Sequence, residues 1–182
     1  MKVIIAEKPS LGRNIVSAIK DMKREDGFYI GKEYIVTWAF GHLFTLADIE
    51  DYPGHENNLG RWTMDNLPCF PENFIFNLKK DASKQIDKGI NKQFNIIKTL
   101  CERKDVDEII NAGDADREGE VIVRLITNNI NTEGKKLTRL WLPDQTEETI
   151  NAALKDLKNE TEYNNLANEG IEDFLLDEEA SA

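Results

Sequence analysis

An α/β fold is what this sequence predicts: a parallel sheet of about four strands, helices on both faces, and an added β-hairpin. Three observations carry the prediction. Short apolar runs rich in β-branched residues recur at Lys2–Ala6 (KVIIA), Asp107–Ala112 (DEIINA) and Leu137–Leu142 (LTRLWL). Amphipathic segments of helical period lie between them. Crossovers of that length join parallel neighbours, so the strands share one direction and one carboxyl edge.

The elements follow in order. Lys2–Ala6 is a buried strand, broken by Glu7-Lys8-Pro9-Ser10. Ser10 is placed to cap a helix running to about Lys20, with Leu11, Ile15, Ala18 and Ile19 on one face. The polar stretch DMKRED reads as a solvated connection, and Phe28–Ile30 with Glu33–Phe40 as the hairpin. Residues 48–82 hold the turn-like clusters DYPGHENNLG and PCFPEN and read as a long loop with one strand, Asn73–Leu78. Ser83–Arg103 reads as a long helix with Ile86, Ile90, Phe94, Ile97 and Cys101 on its core face. After the strand Asp107–Ala112 come a tight loop at Gly113–Asp116 and a helix over Arg117–Asn129. The strand Leu137–Leu142 and a helix over Thr146–Leu157 complete the domain, placed at residues 1–158. Residues 159–182 read as the start of a further segment and an acidic tail. The tail is expected to be disordered or an exposed helix in which only Phe174, Leu175 and Leu176 can pack.

Composition narrows the function. The 182 residues carry 23 Lys and Arg against 34 Asp and Glu, a formal charge of -11. A domain that grips nucleic acid unaided presents a basic face; this chain should repel phosphate over most of its surface. A role on DNA therefore needs a cation, a restricted site or further domains. The last residues, EDFLLDEEASA, add five acids and no base. Cys69 and Cys101 are far apart and read as reduced thiols, and with two His a Cys/His zinc site is not available. No apolar run approaches the roughly 20 residues that span a bilayer, nor does the start read as a signal peptide. A cytoplasmic protein is the expectation.

The most informative segment is Asn111–Glu120, NAGDADREGE. An apolar strand runs into Gly113, Asp114 and Asp116 follow in the loop, and Glu118 and Glu120 open a helix. Asp-x-Asp beyond a strand end can aim two carboxylates at one site, and hard cations such as Mg²⁺ take such oxygen ligands while keeping most of their waters. Glu118 and Glu120 have a plainer reading as acids that favour the helix dipole. Glu7 and Lys8 leave the first strand at the same edge. In open parallel sheets ligands bind beyond the carboxyl ends, so if the first and second strands are neighbours, Glu7 faces Asp114 and Asp116 across a crevice. Read alone, Glu7 and Lys8 would be a surface acid and a solvated lysine.

AEKPS followed by GDADREGE resembles the Toprim (Rossmann-like) domain of type IA DNA topoisomerases, the topoisomerase III branch in particular. TWAFGHL at Thr37–Leu43, RWTMDNLP at Arg61–Pro68, RLWLPDQTEETINAALKDLK at Arg139–Lys158 and YNNLANEG at Tyr163–Gly170 match in order, so the resemblance covers residues 1–170. It implies a function: a metal-binding domain that contributes Mg²⁺ ligands and proton transfer to single-strand DNA breakage and rejoining. By position, Glu7 matches the glutamate implicated in proton transfer to the leaving 3′ oxygen, and the resemblance also counts it among the metal-binding acids. Asp114 and Asp116 match the Mg²⁺-binding pair, with Mn²⁺ as a substitute, and Glu118 matches the third acid. Lys8 matches a lysine near the scissile phosphate, and Arg117 lies where it can reach a phosphate. His42 sits in the GHL segment, with a hydrogen-bonded structural role as its plainer reading. Trp38, Trp62 and Trp141 read as core or interface.

Two departures qualify the resemblance. None of Tyr29, Tyr34, Tyr52 and Tyr163 sits in a nucleophile context. The family also continues past YNNL with an Arg- and Ala-bearing helix, whereas this chain reads EGIEDFLLDEEASA. The chain alone is therefore expected to bind single-stranded DNA weakly, to relax none, and to work with the remaining topoisomerase domains. The alternatives are a free-standing Toprim nuclease or primase-like enzyme acting on phosphodiesters, a non-catalytic module docking on topoisomerase domains, and an unrelated response-regulator-like metal-binding domain. The AEKPS and GHL matches speak against the last.

Overall fold

The computed structural model describes residues 1–46, 76–83 and 85–181. The first part of the chain forms β1 (Lys2–Ala6), α1 (Pro9–Ile19), β2 (Lys23–Glu25), β3 (Phe28–Ile30), β4 (Tyr34–Trp38) and β5 (Phe44–Leu46). After the undescribed stretch come β6 (Phe76–Leu78), α2 (Lys88–Cys101), β7 (Glu108–Ala112), α3 (Arg117–Asn128) and β8 (Lys136–Arg139). The chain then forms α4 (Glu147–Leu154), β9 (Lys158–Asn159), a 3₁₀ turn at Glu160–Tyr163 and α5 (Asn164–Ser181). The main sheet has seven strands in the order β2-β3-β4-β1-β7-β8-β9, and β5 pairs with β6 separately. Its centre is the parallel set β4, β1, β7 and β8, with antiparallel strands at both edges.

Alternation along β1 divides the core. Val3 and Ile5 point to one face with Ile109, where Phe94, Ile97 and Leu100 of α2 and Val121, Ile122 and Leu125 of α3 cover them. Ile4 and Ala6 point to the other with Val36 and Ile110, covered by Leu11 and Ile15 of α1 and Ile150 of α4. Both faces of the central strands are therefore apolar, as parallel sheets require.

The structure corrects several sequence readings. The hairpin exists, but its second strand is no decoration: β4 lies parallel against β1, with Ile35, Val36 and Thr37 fully buried. DMKRED is not wholly a connection, because Lys23–Glu25 forms an edge strand that turns back at Gly27, whose φ of +85° suits glycine. Ser10 is not a cap; Lys8 is the capping position and Pro9 opens α1, where its missing N–H costs nothing. α2 starts five residues late because the Asp81 side chain ties Ser83 and Gln85 into a turn, and Asp87 caps Ile90 instead. The third core strand is shorter than expected and gains an antiparallel partner in β9. The segment RWTMDNLP, with Trp62, and Cys69 lie outside the described residues, as does the first half of the Asn73–Leu78 strand, whose second half is β6.

The acidic tail is the second half of helix α5, with Glu172, Asp173, Leu176 and Asp177 exposed; the helix docks through its first half. α5 crosses α3 so closely that a Cβ on Gly170 would lie 2.4 Å from Val121 Cγ2 and 2.5 Å from the Arg117 carbonyl oxygen. Ala167 is buried there, and Ile171 packs on the core. Leu176 is 63% exposed. Among the described residues, no helix is long and apolar enough to cross a membrane.

Candidate active site at the carboxyl edge of the sheet

The register of β1 against β7 builds the site. Ala6 pairs with Ala112, so Glu7 and Gly113 leave the sheet side by side. The main chain at Gly41 closes the other flank, its N–H donating to the Glu7 carbonyl at 3.0 Å. Glu7 is 3% exposed. Burial, then a hydrogen bond to the Asp114 carboxyl and the Asp114 charge, push the Glu7 carboxyl up to about 8; Lys8 opposes the rise and Asp116 adds to it. Glu7 therefore carries a proton near neutral pH, which lets it bond to a neighbouring carboxylate at all. Glu7 and the Asp114–Asp116 loop thus leave the sheet at one edge, with Asp114 against Glu7 and the Asp116 Oδ1 turned to the Gly119 N–H.

The loop bearing the aspartates is held tightly. Asp116 caps α3, its Oδ1 accepting from the Gly119 N–H at 2.6 Å, and its own N–H donates to the Asp114 carbonyl at 2.8 Å. Two glycines permit this. A Cβ on Gly113 would lie 2.2 Å from the Gly119 oxygen, and one on Gly119 would lie 2.3 Å from the Asp114 oxygen. Asn111 Oδ1 accepts from the Gly113 N–H at 2.9 Å.

The remaining predicted residues fall in different places. Lys8 is exposed at the start of α1, beside Glu7. Glu118 is exposed and faces the His42 ring, with Nε2 to Oε1 at 3.4 Å. Burial holds His42 below the usual histidine range despite that acid, and its ring packs 4.9 Å from Phe174 of α5. Arg117 points to α5, paired with Glu169 at 3.2 Å and Asp173 at 3.4 Å. Trp38 and Trp141 pack against Tyr29 and Tyr163. Among the described residues, no three acid, His or Cys side chains gather closely enough to cage a metal ion. A hard cation that keeps its waters needs no cage, and the donors present are all carboxylate oxygens.

Sequence reasoning missed the support beneath this loop. Glu120, read as a helix-start acid, is fully buried and accepts from both Arg139 and Arg124. Arg139, read only as part of an apolar strand, is also fully buried. A charged residue inside a run otherwise apolar enough for the core was the available signal.

Comparison with known proteins agrees with this architecture. The model of the Toprim domain family matches residues 2–160. This chain belongs to the Toprim domain family. The domain is 42% identical over 165 residues to a protein from Staphylococcus epidermidis named DNA topoisomerase 3, covering 90% of this chain and 21% of the relative. It is 38% identical over 169 residues to DNA topoisomerase 3 of Bacillus subtilis, covering 93% of this chain and 22% of that one. The chain thus spans about a fifth of the length of these relatives. Full-length topoisomerase I of Thermotoga maritima superposes with a TM-score of 0.53 at 24% identity, over 86% of this chain and 21% of that one, a likeness of fold.

Proposed function

We propose that this Toprim domain is the acid-bearing part of a topoisomerase III-like, type IA enzyme that breaks and rejoins one strand of DNA. The supporting observation is the register of β1 against β7, which brings the buried Glu7 and the Asp114–Asp116 loop to one edge of the sheet, where burial and Asp114 raise the Glu7 carboxyl to about 8. An acid with its working range near the ambient pH can give its proton to a leaving 3′ oxygen and take it back on rejoining. Asp114 and Asp116, with Glu118 nearby, are the oxygen donors that would hold Mg²⁺ or Mn²⁺. When bound, that cation supplies counter-charge for a phosphodiester. Lys8, exposed beside Glu7, adds positive charge where a phosphate would approach. Arg117 can contribute only by leaving Glu169 and Asp173.

The tyrosine nucleophile is assigned to domains outside this one. Tyr29 packs on Trp38, Tyr34 lies beside Lys2, and Tyr163 stacks on Trp141. Single-stranded DNA is the proposed substrate and the cytoplasm the proposed location. With a charge of -11 the chain's own DNA affinity is weak and falls with salt.

Titration calorimetry with Mn²⁺ tests the metal assignment. Weak binding that disappears in Asp114→Asn combined with Asp116→Asn is expected; undiminished binding would put the ion elsewhere. In a parallel plasmid assay the chain alone should relax nothing. Metal-dependent nicking by the chain alone would favour the nuclease alternative.

A further inference from the structure

We infer that Arg139 is a positioning residue: its guanidinium holds the loop after β7 by its carbonyl oxygens and so sets Asp114 against Glu7. The fork is spread across the end of β7, the loop that follows it and the residue after Arg139. Nη1 donates to Gly113 O at 2.7 Å, Leu140 O at 3.1 Å and Asn111 O at 3.3 Å, and Nη2 donates to Asp114 O at 2.8 Å. Nε donates to Glu120 Oε2, so α3 anchors the same group from the other side. The plane lies over Trp141 at 4.9 Å and Tyr163 at 5.9 Å, which fixes its tilt. Glu120 is itself held by Arg124 at 2.8 Å, and Arg124 reaches the Glu160 carbonyl and Asn164.

Stability alone does not select a buried ion pair over apolar packing, although removing one partner of an existing pair is strongly destabilising. An apolar side chain of similar volume generally serves a buried strand as well as a buried ion pair does. A planar donor fork on the Gly113 and Asp114 carbonyls of the loop, and on Asn111 at the end of β7, does something an apolar residue cannot: it fixes the direction of those peptides. With the Asn111, Gly113 and Asp114 carbonyls turned inward to Arg139, the Asp114 side chain has little freedom to leave the Glu7 edge. Lysine carries the same charge, but its three N–H donors share one nitrogen on a flexible stem, so it cannot span these carbonyls.

The test begins with the unaltered chain. In ¹⁵N NMR the Arg139 Nη protons should appear as separate, slowly rotating signals near neutral pH. One rotationally averaged signal would overturn the inference without any variant. Arg139→Lys is then compared with Thr138→Val, a change at the neighbouring buried residue of β8 that leaves the loop carbonyls alone. Relative to β1 amides, hydrogen exchange of the Asp116 amide should speed up about tenfold or more in Arg139→Lys and not in Thr138→Val. Equal acceleration at β1 and the loop, or none at the loop, would mean that Arg139 serves the core only. The last arm rests on the metal assignment above: Mn²⁺ affinity should fall roughly 10- to 100-fold in Arg139→Lys. If the unaltered chain binds no Mn²⁺, that assignment fails, while the exchange and rotation measurements still decide the role of Arg139.

Discussion

Gly119→Ala asks whether the contact between the aspartate loop and α3 is as close as the structure has it. The added Cβ would lie 2.3 Å from the Asp114 oxygen, 2.5 Å from its nitrogen and 2.9 Å from its carbonyl carbon. These are backbone atoms, so no side chain can swing away, and relief requires loop and helix to separate by about 1 Å to reach normal contact distance. Helix propensity favours the change by about 1 kcal/mol. Overpacking costs about 1–3 kcal/mol or more, and here it also disturbs the Asp114 carbonyl bonds to Arg139 and the Asp116 amide. The balance is a loss of about 1–2 kcal/mol, which in a chain of this size lowers Tm by roughly 2–8 °C. Gly134→Ala is the control, because its φ is +75° but nothing lies within 4 Å of the new Cβ. It should cost only the left-handed backbone term, about 1 kcal/mol. Thermal melts followed by circular dichroism read both. A Gly119→Ala chain as stable as the unaltered one, with Mn²⁺ binding intact, would refute the tight loop–helix contact and the positional argument built on it.

Three further outcomes follow from the same structure. Glu7 has a raised folded-state value of about 8, so its contribution is present below the usual carboxylate range and lost as pH rises through that value; stability should fall by about 1 kcal/mol between pH 7 and 8.5. Glu7→Gln should flatten that pH profile in denaturant titrations, and an unchanged slope would place the proton elsewhere. Burial pushes the Cys101 thiol up to about 12, so it should stay unreactive toward a thiol reagent at pH 8 until the chain is unfolded, as mass spectrometry can show. Asp87→Ala removes the cap of α2 and should cost about 1 kcal/mol in urea unfolding.

What the sequence makes legible, and what it hides, has a physical pattern. Glu7 and Asp114 could be matched because they lie one and two residues beyond the ends of short apolar strands, and parallel connection places both at one edge. β4 was misjudged because hairpin chemistry is local, whereas its parallel pairing with β1 is a non-local choice that Tyr34–Trp38 does not advertise. The docking of α5 was hidden because its sequence carries only a weak apolar stripe; a glycine at 170 and an ion pair to Arg117 seat it instead. Arg139 and Glu120 sit 19 residues apart, and their meeting depends on how β8 and α3 pack, which spacing does not reveal.

The central claim is that Glu7 and the Asp114–Asp116 pair supply the acid and the cation site of a DNA strand-breaking enzyme. A chimera tests it most directly: this domain replaces the matching segment of the Staphylococcus epidermidis relative, and plasmid relaxation is measured with Mg²⁺. Mg²⁺-dependent relaxation by the chimera, and none by its Glu7→Ala form, is the expected result. Relaxation that survives Glu7→Ala, or a folded chimera that relaxes nothing, would contradict it.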